Sequence, residues 1–265
     1  MSLSGSRYIP QTSREHARIQ YSLLLLLLPL CICQFCPAED VIVYSCYQNF
    51  NSRIYILGMD GSVYDWFQYD MYRICDLENV NGDVHLAEAF APRSYRIDLQ
   101  TGELDLIIDD WFLYYFYDLA FDGNYLYVTE WDMNRYLPDG TGGSSTSFDH
   151  DVYGSTFLDD RLWTINEDSL IRCWDISSWP VMVEDSARSF SPPTGSCRGL
   201  SHDGEFFWTA ESIESQLGYI YCFDSEGTVV TEIVEPSFQG WSACITSGYQ
   251  SDIESGTWGS IKTLF

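Results

Sequence analysis

Apolar and polar residues alternate with a period of two along most of the chain, in short runs broken by turn-forming pairs. The scheme is clearest in LAFDGNYLYVTE (119–130) and LSHDGEFFWTAE (200–211). Each reads as an apolar run, an Asp-Gly turn, an aromatic strand and an acidic end. TFLDDRLWTINE (156–167) and LENVNGDVHLAE (77–88) are looser copies, with Asp159-Asp160 and Asn81-Gly82 at the turn. Pairs of this kind tolerate the positive φ that tight hairpin turns require, so each copy predicts two antiparallel strands. No long stretch after residue 40 carries the apolar spacing of a helix.

A second kind of hairpin follows each first one: YRIDLQTGELDLII (95–108), NRYLPDGTGGSSTS (134–147), IRCWDISSWPVMVE (171–184) and IYCFDSEGTVVTEI (220–233). IYILGMDGSVYDWF (54–67) is a fifth copy, so the first hairpin occurs four times and the second five times. The first-hairpin turns fall at Gly82, Gly123, Asp160 and Gly204, in steps of 41, 37 and 44 residues. Four strands in about 40 residues, repeated, is the unit of a β-propeller blade.

The mismatch of four against five predicts that the missing hairpin is divided between the chain ends. VIVYSCY (41–47) reads as a second strand and GWSACITSG (240–248) as an inner first strand. Together they would complete one blade and remove a free sheet edge. The expected fold is therefore an all-β, five-bladed β-propeller closed by pairing of its N- and C-terminal strands. The blades span about 70–110, 112–148, 152–190, 195–236, and 240–248 with 41–69. A six-bladed ring is the alternative, although the remaining segment, 249–265, is short for another blade.

Composition agrees with strands rather than helices: aromatic residues make up 16%, with 19 Tyr, 15 Phe and 9 Trp. Hydrophobic residues at 46% are enough for a sizeable core. The formal net charge of −26 has a sharper meaning. It opposes binding to phosphate backbones and to anionic membrane surfaces. It leaves two readings, solubility through self-repulsion or binding of a cation or a cationic ligand.

Residues 1–38 stand apart. Arg7, Arg14 and Arg18 precede the apolar run SLLLLLLPLCIC, and Cys36-Pro37-Ala38 offers a cleavage point before Glu39. That order is the pattern of a secretory signal peptide. A membrane anchor fits less well, because Pro29 interrupts the run and Gln34 follows it. Lipid attachment at Cys31, Cys33 or Cys36 lacks the small preceding residue that it favours. The organisation expected is a signal peptide at 1–38, a propeller at 39–248 and a C-terminal tail at 249–265, in a secreted protein, extracellular or periplasmic.

Six of the nine cysteines lie beyond the leader, with no CxxC spacing that would suggest zinc. Cys46 and Cys244 fall on the two terminal strands, which makes a disulfide between them geometrically conceivable. Free, buried thiols are the alternative.

At GLSHDGEFFWTAE (199–211) and DLAFDGNYLYVTE (118–130) the chain resembles secreted bacterial propellers built on Gly-Leu-x-x-Asp-Gly-x-x-Leu-Trp-Val-x-Asp repeats. These are similar in turn to the propeller-type glutaminyl cyclotransferases and to the NHL- and YncE-like repeat proteins. The resemblance covers residues ~40–248 as repeat grammar and implies a blade fold. No segment matches a cyclotransferase catalytic loop.

In a propeller the first strand of each blade lines the axis, and ligands meet the loops at a mouth. That rule places Asp76, Asp118, Ser155, Arg198 and Trp241 nearest the axis, as a candidate ligand site. Paired carboxylates there suit a glycosidase-like or cyclotransferase-like enzyme, or else they bond backbone N–H groups at strand ends. The Asp-Gly turns at 122–123 and 203–204 invite calcium, yet no ligand spacing matches a known loop, so no cofactor is expected. The aromatic runs DWFQYDMY (65–72) and DDWFLYYFYD (109–118) fit either packing between blades or an exposed stacking platform. His85, His150 and His202 have no partners at ligand spacing, and no nucleophile-elbow, phosphate-loop or zinc-helix motif occurs. The expected function is a binding or interaction module for an extracellular ligand, carbohydrate or peptide, with an acid-based enzyme as the rival.

Overall fold

The computed structural model describes residues 39–48, 51–110, 115–129, 132–148, 151–213, 216–237 and 239–249. Residues 1–38, residues 250–265, His150 and the centre of the second aromatic run (111–114) lie outside them.

Among the described residues, twenty strands form five four-stranded antiparallel sheets. Blade one contains β1 (Glu39–Gln48), β2 (Asn51–Gly58), β3 (Val63–Tyr69) and, from the far end of the chain, β20 (Gly240–Tyr249). Blade two is β4 (Ile74–Val80), β5 (Asp83–Glu88), β6 (Arg93–Ile97) and β7 (Leu104–Asp109). Blade three is β8 (Ala120–Phe121), β9 (Leu126–Thr129), β10 (Asp132–Tyr136) and β11 (Ser144–Ser147). Blade four is β12 (Val152–Leu158), β13 (Arg161–Asn166), β14 (Ile171–Ser178) and β15 (Val181–Glu184). Blade five is β16 (Cys197–His202), β17 (Phe207–Glu211), β18 (Tyr219–Phe223) and β19 (Val229–Val234). The protein is a five-bladed β-propeller, with β20, β4, β8, β12 and β16 innermost.

The ring closes as the hairpin count predicts. β20 pairs antiparallel with β1, from Glu39 opposite Tyr249 to Cys46 opposite Gly240. The disulfide does not form. Cys244 stands opposite Val43, three residues from Cys46 along β1, and both thiols are free. They also pack into different interfaces, Cys46 against blade five and Cys244 against blade two. All six cysteines of the described residues are buried free thiols.

The core is divided in the same five-fold way. Among the described residues, five apolar clusters each fill one gap between neighbouring blades. Val43, Ile54 and Ile56 of blade one meet Leu77, Val84 and Leu86 of blade two. Ile42, Tyr44 and Leu57, from the other face of blade one, meet Trp208, Ile220 and Ile233 of blade five. Each sheet therefore buries both faces, which is why its strands carry apolar residues at successive positions. A fully buried Leu or Ile contributes about 1.5–3 kcal/mol, and every blade needs two neighbours to bury its set.

The turns explain the repeated motif. Asp122 Oδ1 accepts from the N–H groups of Asn124 and Tyr125, and its Oδ2 accepts from the Tyr127 hydroxyl at 2.8 Å. Asp203 repeats this with Glu205, Phe206 and the Trp208 indole N–H at 2.7 Å. The Asp thus both shapes the turn and satisfies an aromatic donor five residues on. The second hairpins use Asp60, Asp98, Asp139, Asp175 and Asp224 in the same way, each accepting a backbone N–H two residues ahead.

At the axis the inner strands touch. A Cβ on Gly199, whose φ is +64°, would meet Ser242 Cβ at 2.5 Å, and a Cβ on Gly154 would run into the Gly199 backbone. Gly199→Ala therefore combines a left-handed backbone with a steric conflict between blades five and one. We expect it to lower unfolding free energy by about 2–4 kcal/mol in chemical denaturation, whereas Gly123→Ala, with open space around it, loses only the backbone part.

Candidate functional site

One residue from each inner strand or its lead-in reaches the centre of the ring: Asp76, Asp118, Ser155, Gly199 and Ser242. Asp76 is fully buried and ties four blades together. Its Oδ1 accepts from Leu77 N at 2.9 Å and Ser242 Oγ at 2.6 Å. Its Oδ2 accepts from Leu119 N at 3.1 Å and Ser155 N at 3.4 Å. Ser242 Oγ in turn accepts from Leu77 N at 3.1 Å. Burial pushes the Asp76 carboxyl well above the usual range and the Asp118 charge adds to this, while Ser242, Leu119 and Leu77 pull it back.

Asp118 is also fully buried. Its Oδ1 accepts from Thr129 N at 2.6 Å and Thr129 Oγ1 at 2.5 Å. Its Oδ2 and the Ser155 hydroxyl have no hydrogen-bond partner among the described residues. Burial raises this carboxyl to about 6, with the Thr129 hydrogen bonds working against the shift. The structure thus brings Asp76, Asp118 and Ser155 together, in a closed plug of hydrogen bonds. Among the described residues no group of three His, Cys, Asp or Glu side chains is arranged to hold a metal ion.

Arg198 and Trp241 lie apart from the plug, at the mouth where the inner strands begin. The Arg198 guanidinium sits 4.0 Å from the Tyr153 ring centroid and its Nη1 donates to Cys197 O at 2.7 Å. Burial lowers its proton affinity below the ordinary guanidinium value. Trp241 lies under a second arginine, Arg73, whose guanidinium is 4.1 Å from the indole centroid. Arg73 also faces Phe90 at 5.2 Å, and Tyr47 and Tyr72 at 6.0 Å each. The rings continue outward: Tyr72 meets Phe90 edge-on at 4.7 Å, Phe90 meets Tyr115 at 5.1 Å, and Tyr115 meets Tyr117 at 6.0 Å. Three blades contribute to this bowl.

Two features separate the bowl from ordinary packing. Tyr72 and Phe90 are 45% and 48% exposed, and Phe90 holds a φ of +67° that a bulky side chain adopts only at a cost. Arg73 Nε and Trp241 Nε1 are buried donors with no acceptor among the described residues. Buried N–H groups left in this state cost about 1–3 kcal/mol each.

Of the candidate residues read from the chain, Trp241 belongs to this bowl and Arg198 to the same mouth. Tyr72 and Tyr115 come from the two aromatic runs, 65–72 and 109–118, read from the chain as packing between blades or as a stacking platform. Arg73, Phe90 and Tyr47 were not foreseen: Arg73 and Phe90 lie between strands, outside the alternation that marks the blades, and Tyr47 lies near the end of β1.

Comparison with models of protein families gives no match, and none of the curated proteins matches. Among solved structures the chain is similar to one in a nidogen/laminin complex, at 11% identity over 78% of this chain and 98% of that one, with a TM-score of 0.50. It is also similar to the glutaminyl cyclase of Myxococcus xanthus (14% identity, 60% and 69% covered, TM-score 0.49). A protein of unknown function from Bacteroides caccae follows (11% identity, 79% and 99% covered, TM-score 0.48). At such identities likeness speaks to fold alone, and no functional residue is carried across.

The buried axial acids make a pH signature. The folded state holds the Asp118 proton up to about pH 6, against 3.8 for the ordinary group. The stabilisation is therefore complete below about pH 4 and is lost as pH rises through about 6, an effect of about 3 kcal/mol at most. Asp118→Asn can turn its amide toward Ser155 and does not titrate. Its stability relative to the parent should rise by about 2–3 kcal/mol between pH 4 and pH 7 in urea melts. Asp76→Ala strands several donors from four blades, and its unfolding free energy should fall by about 4 kcal/mol or more.

Proposed function

We propose that this propeller is a secreted, non-enzymatic binding module whose ligand seats in the aromatic bowl at the mouth where the inner strands begin. The observation that carries the reading is the pair of acceptor-less buried donors, Arg73 Nε and Trp241 Nε1, inside a half-exposed ring of aromatic side chains. Such a site suits a polar extracellular ligand with an acceptor group and a flat or apolar face, a carbohydrate or a peptide. Carboxylate oxygens match the Arg73 guanidinium best. Export follows from the leader pattern of residues 1–38 and remains part of the same proposal.

The fold supports this reading. A ring whose axis is closed by Asp76 and its donors offers no through-channel, and binding falls to the faces. Both oxygens of Asp76 and one oxygen of Asp118 are occupied by backbone and hydroxyl donors, which is a cohesive role.

A glycan and peptide array probed with the full chain identifies the ligand, and calorimetry then measures its affinity. Trp241→Phe keeps a stacking ring and removes one donor. It should weaken binding about tenfold, the worth of one hydrogen bond of about 1.4 kcal/mol. Arg73→Ala should cost about 2 kcal/mol or more. An array ligand whose affinity is unchanged by both substitutions would place its site elsewhere and overturn the reading.

A further inference from the structure

The opposite mouth, where the inner strands end, has a different chemistry. A cavity of about 1150 Å³ opens there. Asn79, Phe121, Leu158, His202 and Ile245, one from each inner strand, line it, so it lies on the axis. Its lining has three properties that belong together.

The charged side chains on it are all acidic: Asp40, Glu78, Asp159, Asp203 and Glu205, with no Lys or Arg among the lining residues. His202 adds no positive charge. Its Nδ1 accepts from Gly204 N at 2.7 Å and burial lowers its proton affinity, so the ring is neutral. Aromatic faces stand beside the acids, from Phe121, Phe157 and Phe206.

Glu78 is the third property. It is only 6% exposed, yet its one hydrogen bond is a long one, 3.4 Å from Thr156 Oγ1 to Oε2. Its Oε1 has no hydrogen-bond partner among the described residues, and the side chain lines the cavity. Burial raises its proton affinity well above the ordinary carboxyl range, and Asp76 adds to this. Ionisation of so buried an acid is costly unless a cation arrives to pair with it.

We infer that this mouth is a second binding site that takes the arginine side chain of a partner polypeptide, with the guanidinium directed to Glu78 and its plane against the aromatic faces. A guanidinium presents several donors and stacks on rings, which matches both parts of the lining. A bare metal ion matches neither the aromatic walls nor the cavity's size, and the described residues offer no three-ligand group for one. The site is separate from the aromatic bowl and does not depend on what binds there.

The test is calorimetric titration of the full chain with acetyl-Gly-Arg-Gly-amide and with its citrulline counterpart, which has nearly the same shape and no charge. The arginine peptide should bind saturably and the citrulline peptide at least tenfold more weakly. Glu78→Gln should weaken the arginine peptide at least tenfold. Glu103→Gln, on a remote exposed turn, controls for diffuse attraction to an acidic protein. Should Glu78→Gln fail to fold, Glu205→Gln on an exposed turn at this mouth carries the same test with a smaller expected loss. Equal affinity for both peptides, equal loss in Glu103→Gln and the Glu78 or Glu205 variant, or tight calcium binding that displaces the peptide would each overturn the inference.

Discussion

Strand β20 can lie beside β1 only when the chain has travelled a full circle, and that pairing conditions the rest of the molecule. Each blade is apolar on both faces, so an open row would leave two faces in water. The hydrogen bonds between Glu39–Gln48 and Gly240–Tyr249 remove those ends. They also bring Ser242 to the axis, where it donates to Asp76 of the next blade. Closure therefore fixes both the five apolar interfaces and the polar plug within them.

The plug has a functional consequence. Five inner strands approach so closely that Gly154 and Gly199 have no room for a side chain. Asp76 accepts donors from four blades and closes the axis among the described residues. On the proposed reading a ligand is met at one mouth or the other. The two mouths differ in the donors they carry. One collects Arg73 and Arg198 with aromatic rings, the other collects carboxylates with aromatic rings. A ring with opposed faces of this kind can join two different partners without contact between them.

Part of the strong negative charge has a local origin. Asp122 and Asp203 hold first-hairpin turns, and Asp60, Asp98, Asp139, Asp175 and Asp224 hold second-hairpin turns. An aspartate at such a place replaces backbone acceptors that the turn cannot supply. Repetition of the blade repeats the charge. The cavity acids are a separate set apart from Asp203, which serves its turn and lines the cavity at once.

The blade count, the strand order and the closure were all legible in the chain, because alternation and turn chemistry are local and a repeat multiplies a weak signal until it can be read. Asp-Gly at 122–123 and 203–204, and the unequal count of hairpins, carried that reading. The axial placement of Asp76, Asp118 and Ser155 followed from the same register. What the tertiary structure alone decided is which side chains meet across blades. Cys46 and Cys244 share neighbouring strands, yet the closing register sets them against Gly240 and Val43. Arg73 reaches Trp241 across a separation of 168 residues, and Glu78 and Glu205 converge on one cavity. Alternation states which face of a strand is buried. It holds no information on the rotation between one blade and the next, and that rotation sets every contact at the two mouths.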